Sequence, residues 1–195
     1  MNKKTQQWQL VAIGFVVVLA LATFLISNFG RNAKAASDLF PDIFTYNKNT
    51  GSWSIKFNNS SGTFNEKNGS WDPQWSVQAA NFNGDDLTDF FLYKKTTGQW
   101  FKAINNGSDD FTYNEAGTFS TDWNTYIMNL NGDGISDVFF YNFSNGIWAK
   151  CNSVVGNGFS CAQSRSWSAN WQVYPMRINS DSYDDLFIYN LAICI

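Results

Sequence analysis

Histidine is absent from this 195-residue chain, and proline and cysteine occur only three times each. Without histidine the chain lacks the commonest general base and cannot form a Ser-His or Cys-His nucleophile pair. Charged residues make up only 15% of the sequence, the net charge is −3, and the basic residues are scattered, which argues against a nucleic-acid-binding surface. We therefore predict a protein that is neither an enzyme nor a nucleic-acid binder.

Long hydrophobic runs are absent too, except for one near the start of the chain. Residues 10–26 are uncharged, follow Lys3 and Lys4, and precede a small-residue pattern that ends at Ala35. This arrangement is typical of a signal peptide cleaved after Ala35, but the run is also just long enough for an uncleaved membrane-anchoring helix. In both cases the basic N-terminus stays inside, so we expect residues 36–195 outside the cytoplasm, secreted or tethered to the membrane only through residues 10–26.

Aromatic residues, in contrast, are abundant, at 18% of the sequence with nine tryptophans, and many recur at a fixed spacing. Trp75, Trp123 and Trp171 lie 48 residues apart. Each period contains about four short aromatic-rich segments separated by Asn, Gly and Ser turns, the pattern of a β-propeller blade. We predict an all-β fold of propeller-type blades after a hydrophobic N-terminal helix. Its four-stranded repeats are 42–88, 89–136 and 137–184, with a partial fourth at 185–195.

An oxygen-rich loop lies at the end of each period. Its oxygens fall at positions one, three, five and nine, with a backbone carbonyl at position seven, a spacing at which a tight turn converges hard ligands on Ca²⁺. The predicted ligands are Asn81, Asn83, Asp85, Leu87 and Asp89 in the first loop, Asn129, Asn131, Asp133, Ile135 and Asp137 in the second, and Asn179, Asp181 and Asp185 in the third. Arg177 takes position one of the third loop and is expected to pair with its carboxylates in place of a metal. The alternative for every loop is a metal-free turn held by Asx hydrogen bonds.

These units resemble the FG-GAP-like or VCBS repeats of extracellular bacterial proteins. In that pattern an Asp-Phe-Asn-Gly-Asp-Gly-x-x-Asp loop precedes a Leu-Tyr strand and a Thr-Gly-x-Trp turn. Residues 81–89 with Thr97–Trp100 carry it here, as do residues 129–137 with Asn145–Trp148, although Asn replaces the first Asp and Arg177 departs further. Similar repeats in integrin α-chains bind Ca²⁺ within a propeller. The resemblance therefore implies structural Ca²⁺ sites in an extracytoplasmic repeat domain that covers residues 36–195.

Three non-catalytic functions remain open. The first, which we favour, is a Ca²⁺-binding module for binding or adhesion at the cell surface, with a glycan or a surface protein as its ligand. The second is a lectin in which Trp71 and Trp167 stack on sugar rings, with packing between blades as the alternative role for these rings. The third is a surface or filament subunit that completes its propeller by self-association, because three periods are fewer than the roughly four to eight blades of closed propellers.

The cysteines favour an oxidising compartment. Cys151 and Cys161 fall on the two arms of a predicted hairpin whose tip is near Gly156, and cross-strand neighbours can meet disulfide geometry. Buried free thiols are the alternative for this pair. Cys194 has no predicted partner within the chain and is either free or bridges two chains.

Overall fold

The computed structural model describes residues 42–58, 63–85, 87–107 and 110–190. The predicted signal or anchor, its cleavage point at Ala35, and Cys194 lie outside the described residues, as do the last five residues of the partial fourth repeat. None of the described residues belongs to a helix with the length and apolarity needed to span a membrane.

The chain divides into two compact units. The first comprises Met1–Ile43 and Lys56–Glu66, and the second comprises Phe44–Ile55 and Lys67–Ile195. In the first unit, the backbone N–H of Asn58 donates a hydrogen bond of 2.8 Å to Asp42 Oδ1. The sites discussed below belong to the second unit.

The described residues form fourteen β-strands and no helix, so the all-β prediction is confirmed. The strands are β1 (Ile43–Tyr46), β2 (Ser52–Asn58), β3 (Phe64–Ser70), β4 (Ser76–Ala80), β5 (Asp89–Tyr93), β6 (Gln99–Asn105), β7 (Phe111–Thr118), β8 (Asn124–Met128), β9 (Asp137–Tyr141), β10 (Ile147–Ser153), β11 (Phe159–Cys161), β12 (Arg165–Ser166), β13 (Gln172–Met176) and β14 (Asp185–Tyr189).

The strands form four sheets. One has the order β1-β2-β3, the next β4-β5-β6-β7, and the third β8-β9-β10-β11 with β12 on the same edge of β10 as β11. The fourth contains only β13 and β14 among the described residues. The pairings among strands β4 to β14 are antiparallel, and the described sheets form no closed barrel or propeller ring.

The central strands β5 and β9 are buried along their whole length. Their sequences, Asp-Phe-Phe-Leu-Tyr and Asp-Val-Phe-Phe-Tyr, lack the alternation of a half-exposed strand because both faces of each strand are covered. The neighbouring strands β4 and β8 pair with them in the same register, which sets Ala80 opposite Asp89 and Met128 opposite Asp137. The first two acidic loops therefore each end at a buried strand that begins with a carboxylate, whereas β14 after the third loop also begins with an aspartate but is partly exposed.

A glycine turn joins each central strand to the next strand. Gly98 adopts a φ of 74°, which a residue with a side chain rarely accepts, and a Cβ at this position would overlap the carbonyl oxygen of Phe119. The backbone N–H of Phe119 in turn donates to the carbonyl of Gly98 at 2.9 Å. The Thr-Gly-x-Trp pattern thus marks a place where two backbone segments touch and leave no room for a side chain.

Tyrosines at the ends of the central strands hold the segment that carries the repeated tryptophans. The hydroxyl of Tyr141 donates to the carbonyl of Ser168 at 3.1 Å and accepts from the backbone N–H of Trp171 at 3.1 Å. Tyr93 makes the equivalent bond to the carbonyl of Ser120 at 2.6 Å. These bonds satisfy the one polar group of an otherwise buried ring and fix the start of the following strand.

Candidate metal-binding loops

Position nine of each loop is a structural anchor. Asp137 is fully buried; its Oδ2 accepts the backbone N–H of Leu130 at 2.8 Å, and its Oδ1 accepts that of Ser153 at 2.8 Å. One carboxylate therefore ties the start of the loop to the far end of β10. Burial raises the pKa of Asp137 above its usual value, while the two backbone donors act in the opposite direction.

Asp89 has the same role in the first loop. Its Oδ2 accepts the N–H of Phe82 at 2.7 Å and its Oδ1 accepts that of Asn105 at 2.8 Å, and desolvation again raises its pKa. The Oδ2 of Asp185 accepts the N–H of Ile178 at 2.8 Å in the third loop. The spacing of these aspartates predicted metal ligands and gave no sign of the backbone N–H groups that their carboxylates accept.

The rest of the middle loop is a series of Asx turns. Asn129 Oδ1 accepts the N–H of Gly132 at 2.8 Å, Asn131 Oδ1 accepts that of Asp133 at 3.0 Å, and Asp133 Oδ1 accepts that of Ile135 at 2.8 Å. The amide of Asn131 also donates to Asp133 Oδ2 at 2.7 Å. These bonds bring the predicted side-chain oxygens around one tight turn, with Asp133 exposed to solvent.

The first loop repeats this arrangement. Asn81 Oδ1 accepts the N–H of Gly84 at 2.8 Å, Asn83 Oδ1 accepts that of Asp85 at 3.1 Å, and Asp85 Oδ1 accepts that of Leu87 at 2.8 Å. The amide of Asn83 donates to Asp85 Oδ2 at 2.6 Å. The two loops therefore share these four hydrogen bonds, which follow from their matching Asn, Asp and Gly positions. They differ at position one, where the amide of Asn81 donates to the carbonyl of Asp85 and that of Asn129 donates to the carbonyl of Ser182.

The third loop differs because of Arg177. Its guanidinium Nη2 donates to the carbonyl of Asp181, and its Nε lies 3.8 Å from Asp184 Oδ1. Arg177 was predicted to pair with the loop's carboxylates, Asp181 or Asp185. In the structure it contacts the main-chain carbonyl of Asp181 and the carboxylate of Asp184 instead. The Asx turns are still present in this loop. Asn179 Oδ1 accepts the backbone N–H of Asp181, and Asp181 Oδ1 accepts that of Tyr183.

Neighbouring loops are joined by reciprocal hydrogen bonds. The backbone N–H of Asn81 donates to Ser136 Oγ at 2.8 Å, and the N–H of Ser136 donates to the carbonyl of Asn81 at 2.7 Å. Asn129 and Asp184 form the same pair one loop further on, at 2.7 and 2.8 Å. These bonds use the main chain at position one and do not involve its side-chain oxygen, which accepts the N–H of Gly84 or Gly132 within its own loop.

The donor set of the first two loops fits Ca²⁺, and that of the third does not. Each carboxylate or amide oxygen that accepts one backbone N–H keeps a second lone pair. Four side-chain oxygens and one carbonyl would leave at least one of the roughly six to eight Ca²⁺ positions to water. No group of three His, Cys, Asp or Glu side chains converges within the described ranges, and the predicted sets contain only two carboxylates each. In the third loop a guanidinium occupies the place of a ligand.

Trp71 and Trp167, the predicted sugar-stacking residues, are half-buried among other rings. Trp71 lies 5.7 Å from Trp53 and 5.9 Å from Phe111 between ring centroids, and its Nε1 donates to Tyr113 Oη at 3.0 Å. The ring of Trp167 lies 5.2 Å from Trp148. Both tryptophans contribute to packing, and a sugar would have to compete with these aromatic neighbours.

Cys151 and Cys161 form a disulfide between opposite positions of β10 and β11. It closes the hairpin whose tip contains Gly156 and Gly158. Two charged residues of the β4-β5-β6-β7 sheet, Lys102 and Glu115, also contact the tip of this hairpin.

Lys102 on β6 and Glu115 on β7 form a buried ion pair. Lys102 Nζ lies 2.6 Å from Glu115 Oε2 and donates to Ser153 Oγ at 2.7 Å and to the carbonyl of Gly158 at 2.9 Å. Glu115 also accepts the N–H groups of Gly156 and Gly158, each at 2.8 Å. Burial lowers the pKa of Lys102, and Glu115 opposes that shift. No pattern in the sequence singled out Lys102 or Glu115, because the contact depends on the packing of β6 and β7 against the hairpin of the next sheet.

Comparison with known proteins finds no family model, no curated protein and no solved structure that matches this chain. The fold and the loops therefore define its class only as an all-β protein made of antiparallel sheets, with an Asx-rich loop before each of the strands β5, β9 and β14.

Proposed function

We propose that this protein is an extracytoplasmic, non-catalytic binding module whose sheets act as propeller-type blades and whose first two acidic loops hold Ca²⁺ for rigidity. The observation that carries the proposal is the set of hydrogen bonds that the first two loops share, in which side-chain oxygens at positions one, three and five accept backbone N–H groups of one turn. Ca²⁺ there would stiffen a turn that is already tied to the central strands by Asp89 and Asp137.

Calcium titration by calorimetry tests this proposal. We expect two saturable sites with dissociation constants of about 10⁻⁴ to 10⁻³ M, the range of extracellular modules with few carboxylates. Asp133→Asn keeps an oxygen that can accept from Ile135 but removes a charge, so it should abolish or weaken one site by at least roughly tenfold. The control is Asp72→Asn on an exposed turn outside the loops. The absence of saturable binding, or an equal effect of both variants, would exclude the proposed metal role.

Self-association is a second proposal, and the fourth sheet favours it. Phe187 and Tyr189 are 47% and 39% exposed, whereas Phe139 and Tyr141, at the same positions of β9, are fully buried. Tyr174 and Met176 on β13 are also exposed, at 49% and 39%. Among the described residues β14 pairs only with β13, so its outer edge and this apolar face can receive a second copy of the chain.

A further inference from the structure

A cleft next to the N-terminal ends of β4 and β8 is distinct from both the acidic loops and the predicted stacking tryptophans. Its volume is about 330 Å³. Small-molecule sites have volumes of roughly 300–1,000 Å³, so the cleft is large enough for a small ligand. The residues that give it its chemical character are Lys48, Gln74, Lys95, Trp123, Asn124 and Tyr126.

The charge of this cleft is opposite to that of the chain. The protein has a net charge of −3, yet two lysines and no carboxylate line the cleft. Within the described residues neither Lys48 nor Lys95 has a carboxylate oxygen within 4.0 Å, and the Nζ of Lys95 donates to the uncharged Asn124 Oδ1 at 3.0 Å. Two ammonium groups without a carboxylate oxygen within 4.0 Å, in one concave site, favour an anion.

A lysine at both of these positions is not a requirement of the fold. Lys48 and Lys95 occupy the same position of successive periods, 47 residues apart, and the next step of 48 residues leads to Phe143. The same step of 48 from Gln74 leads to Asp122. Gln74 and Asp122 share a positive φ, of 72° and 67°, so the backbone is the same while the side-chain chemistry differs. The fold therefore accepts an apolar or acidic residue at these positions, and the cationic character belongs to this cleft.

The rest of the lining suits a sugar better than a simple anion. Amide groups of Gln74 and Asn124 can bond to hydroxyl groups as donors and acceptors. Trp123 is half-buried, with its ring packed at 5.8 Å against Phe140, so it offers a fixed aromatic wall for the C–H groups of a sugar ring. A small anion would use the ammonium groups alone and leave these surfaces without a role.

We propose that this cleft binds a carboxylate-bearing sugar, such as a uronic acid within a surface polysaccharide, with Lys48 and Lys95 on the carboxylate and Trp123, Gln74 and Asn124 on the ring. This inference rests on the proposed function as a binding module and names its ligand class. It involves no covalent chemistry and no metal.

The test is an NMR titration of the ¹⁵N-labelled protein with sodium D-glucuronate, followed at the backbone and tryptophan indole N–H signals. D-glucose and sodium acetate serve as the neutral sugar and the free anion. We expect saturable shifts near Trp123 with millimolar affinity, and binding of glucose and of acetate that is at least roughly tenfold weaker. Equal affinity for acetate would show a simple anion site, equal affinity for glucose would remove the role of the lysines, and no saturable shift with glucuronate would exclude the ligand; each result overturns the proposal.

Variants locate the binding. Lys95→Met and Lys48→Met should each weaken glucuronate binding by roughly tenfold, because each removes one charged contact. Lys150→Met is the matched control, since Lys150 is an exposed lysine on β10 that does not line the cleft. An equal loss in the control, or no loss in either cleft variant, would overturn the assignment.

Calcium binding is read independently in the same samples. If the loops bind Ca²⁺ and glucuronate does not bind, the cleft proposal fails alone. If glucuronate binds and Ca²⁺ does not, the proposed metal role fails and the cleft proposal stands.

Discussion

Lys102 brings a positive charge to a position that is 0% exposed, and Glu115 compensates for it. Removing one partner of a buried ion pair leaves the other charge unpaired, which costs about 3–5 kcal/mol. We therefore expect Glu115→Gln to destabilise the protein by that amount in chemical denaturation. The double variant Lys102→Met/Glu115→Gln should recover part of the loss, because it leaves no unpaired charge.

Lys67→Met is the control for this prediction. Lys67 lies 3.9 Å from Asp110, and both side chains are partly exposed, so the loss of this ion pair should cost less than about 1 kcal/mol.

The stability of the protein should also depend on pH through Lys102. Burial lowers the pKa of Lys102 in the folded protein, so the unfolded chain binds the lysine proton more tightly. The free energy of unfolding should therefore rise as the pH increases from the lowered pKa of the folded protein towards 10.5, the ordinary pKa of lysine. A stability difference between wild type and Lys102→Met that does not change with pH in this range would contradict the assignment.

The sequence predicted the chemistry of single residues only where their partners are close in the chain. The Asx turns follow from Asn and Asp two or three residues before the N–H groups that they accept. Asp137, however, reaches Ser153, which lies 16 residues away, and Lys102 reaches Gly158, which lies 56 residues away. Such contacts depend on how strands pack, and no local pattern specifies them.

At the scale of elements, the glycine turns are the strictest requirement. Gly98→Ala combines a φ of 74° with an overlap on the Phe119 carbonyl, so we expect a loss of about 2–5 kcal/mol in the free energy of unfolding. Gly156→Ala is the matched control, because Gly156 has a φ of 72° but no atom within 4 Å of the position that an added Cβ would take. It should cost only about 1–2 kcal/mol. Equal losses in thermal or chemical unfolding would show that backbone strain alone matters.

The existence of the strands could be predicted from their aromatic runs and polar turns, because these residues have few other ways to be buried. The grouping of the strands into sheets could not be predicted from the sequence. The boundary at Asp89 separates two sequence periods, yet β4 on one side pairs with β5 on the other. The third period also divides its outer edge into β11 and β12, which both pair with β10. The tertiary packing decides these features.

At the scale of the whole molecule, the exposed face of β13 and β14 predicts an association state. We expect sedimentation equilibrium to show reversible self-association of the wild-type protein at micromolar concentrations, because about four large apolar side chains are uncovered. Phe187→Lys should shift the equilibrium to the monomer. Val155→Lys, at an exposed hairpin tip, is the control and should leave it unchanged. A monomeric wild type would remove the second proposal while leaving the calcium and glucuronate tests unaffected.

The pairing of β4 with β5, and of β8 with β9, has a consequence for how such a gene can change its length. In each case the last strand before an acidic loop pairs with the first strand after it, in the same register. A deletion or duplication that kept this spacing and began within one loop and ended within the next would therefore still place a strand of the β4 and β8 type beside one of the β5 and β9 type. A breakpoint inside a sheet would instead separate strands that pair with each other, so the loops are the places where a change of length disturbs the fewest strand pairs.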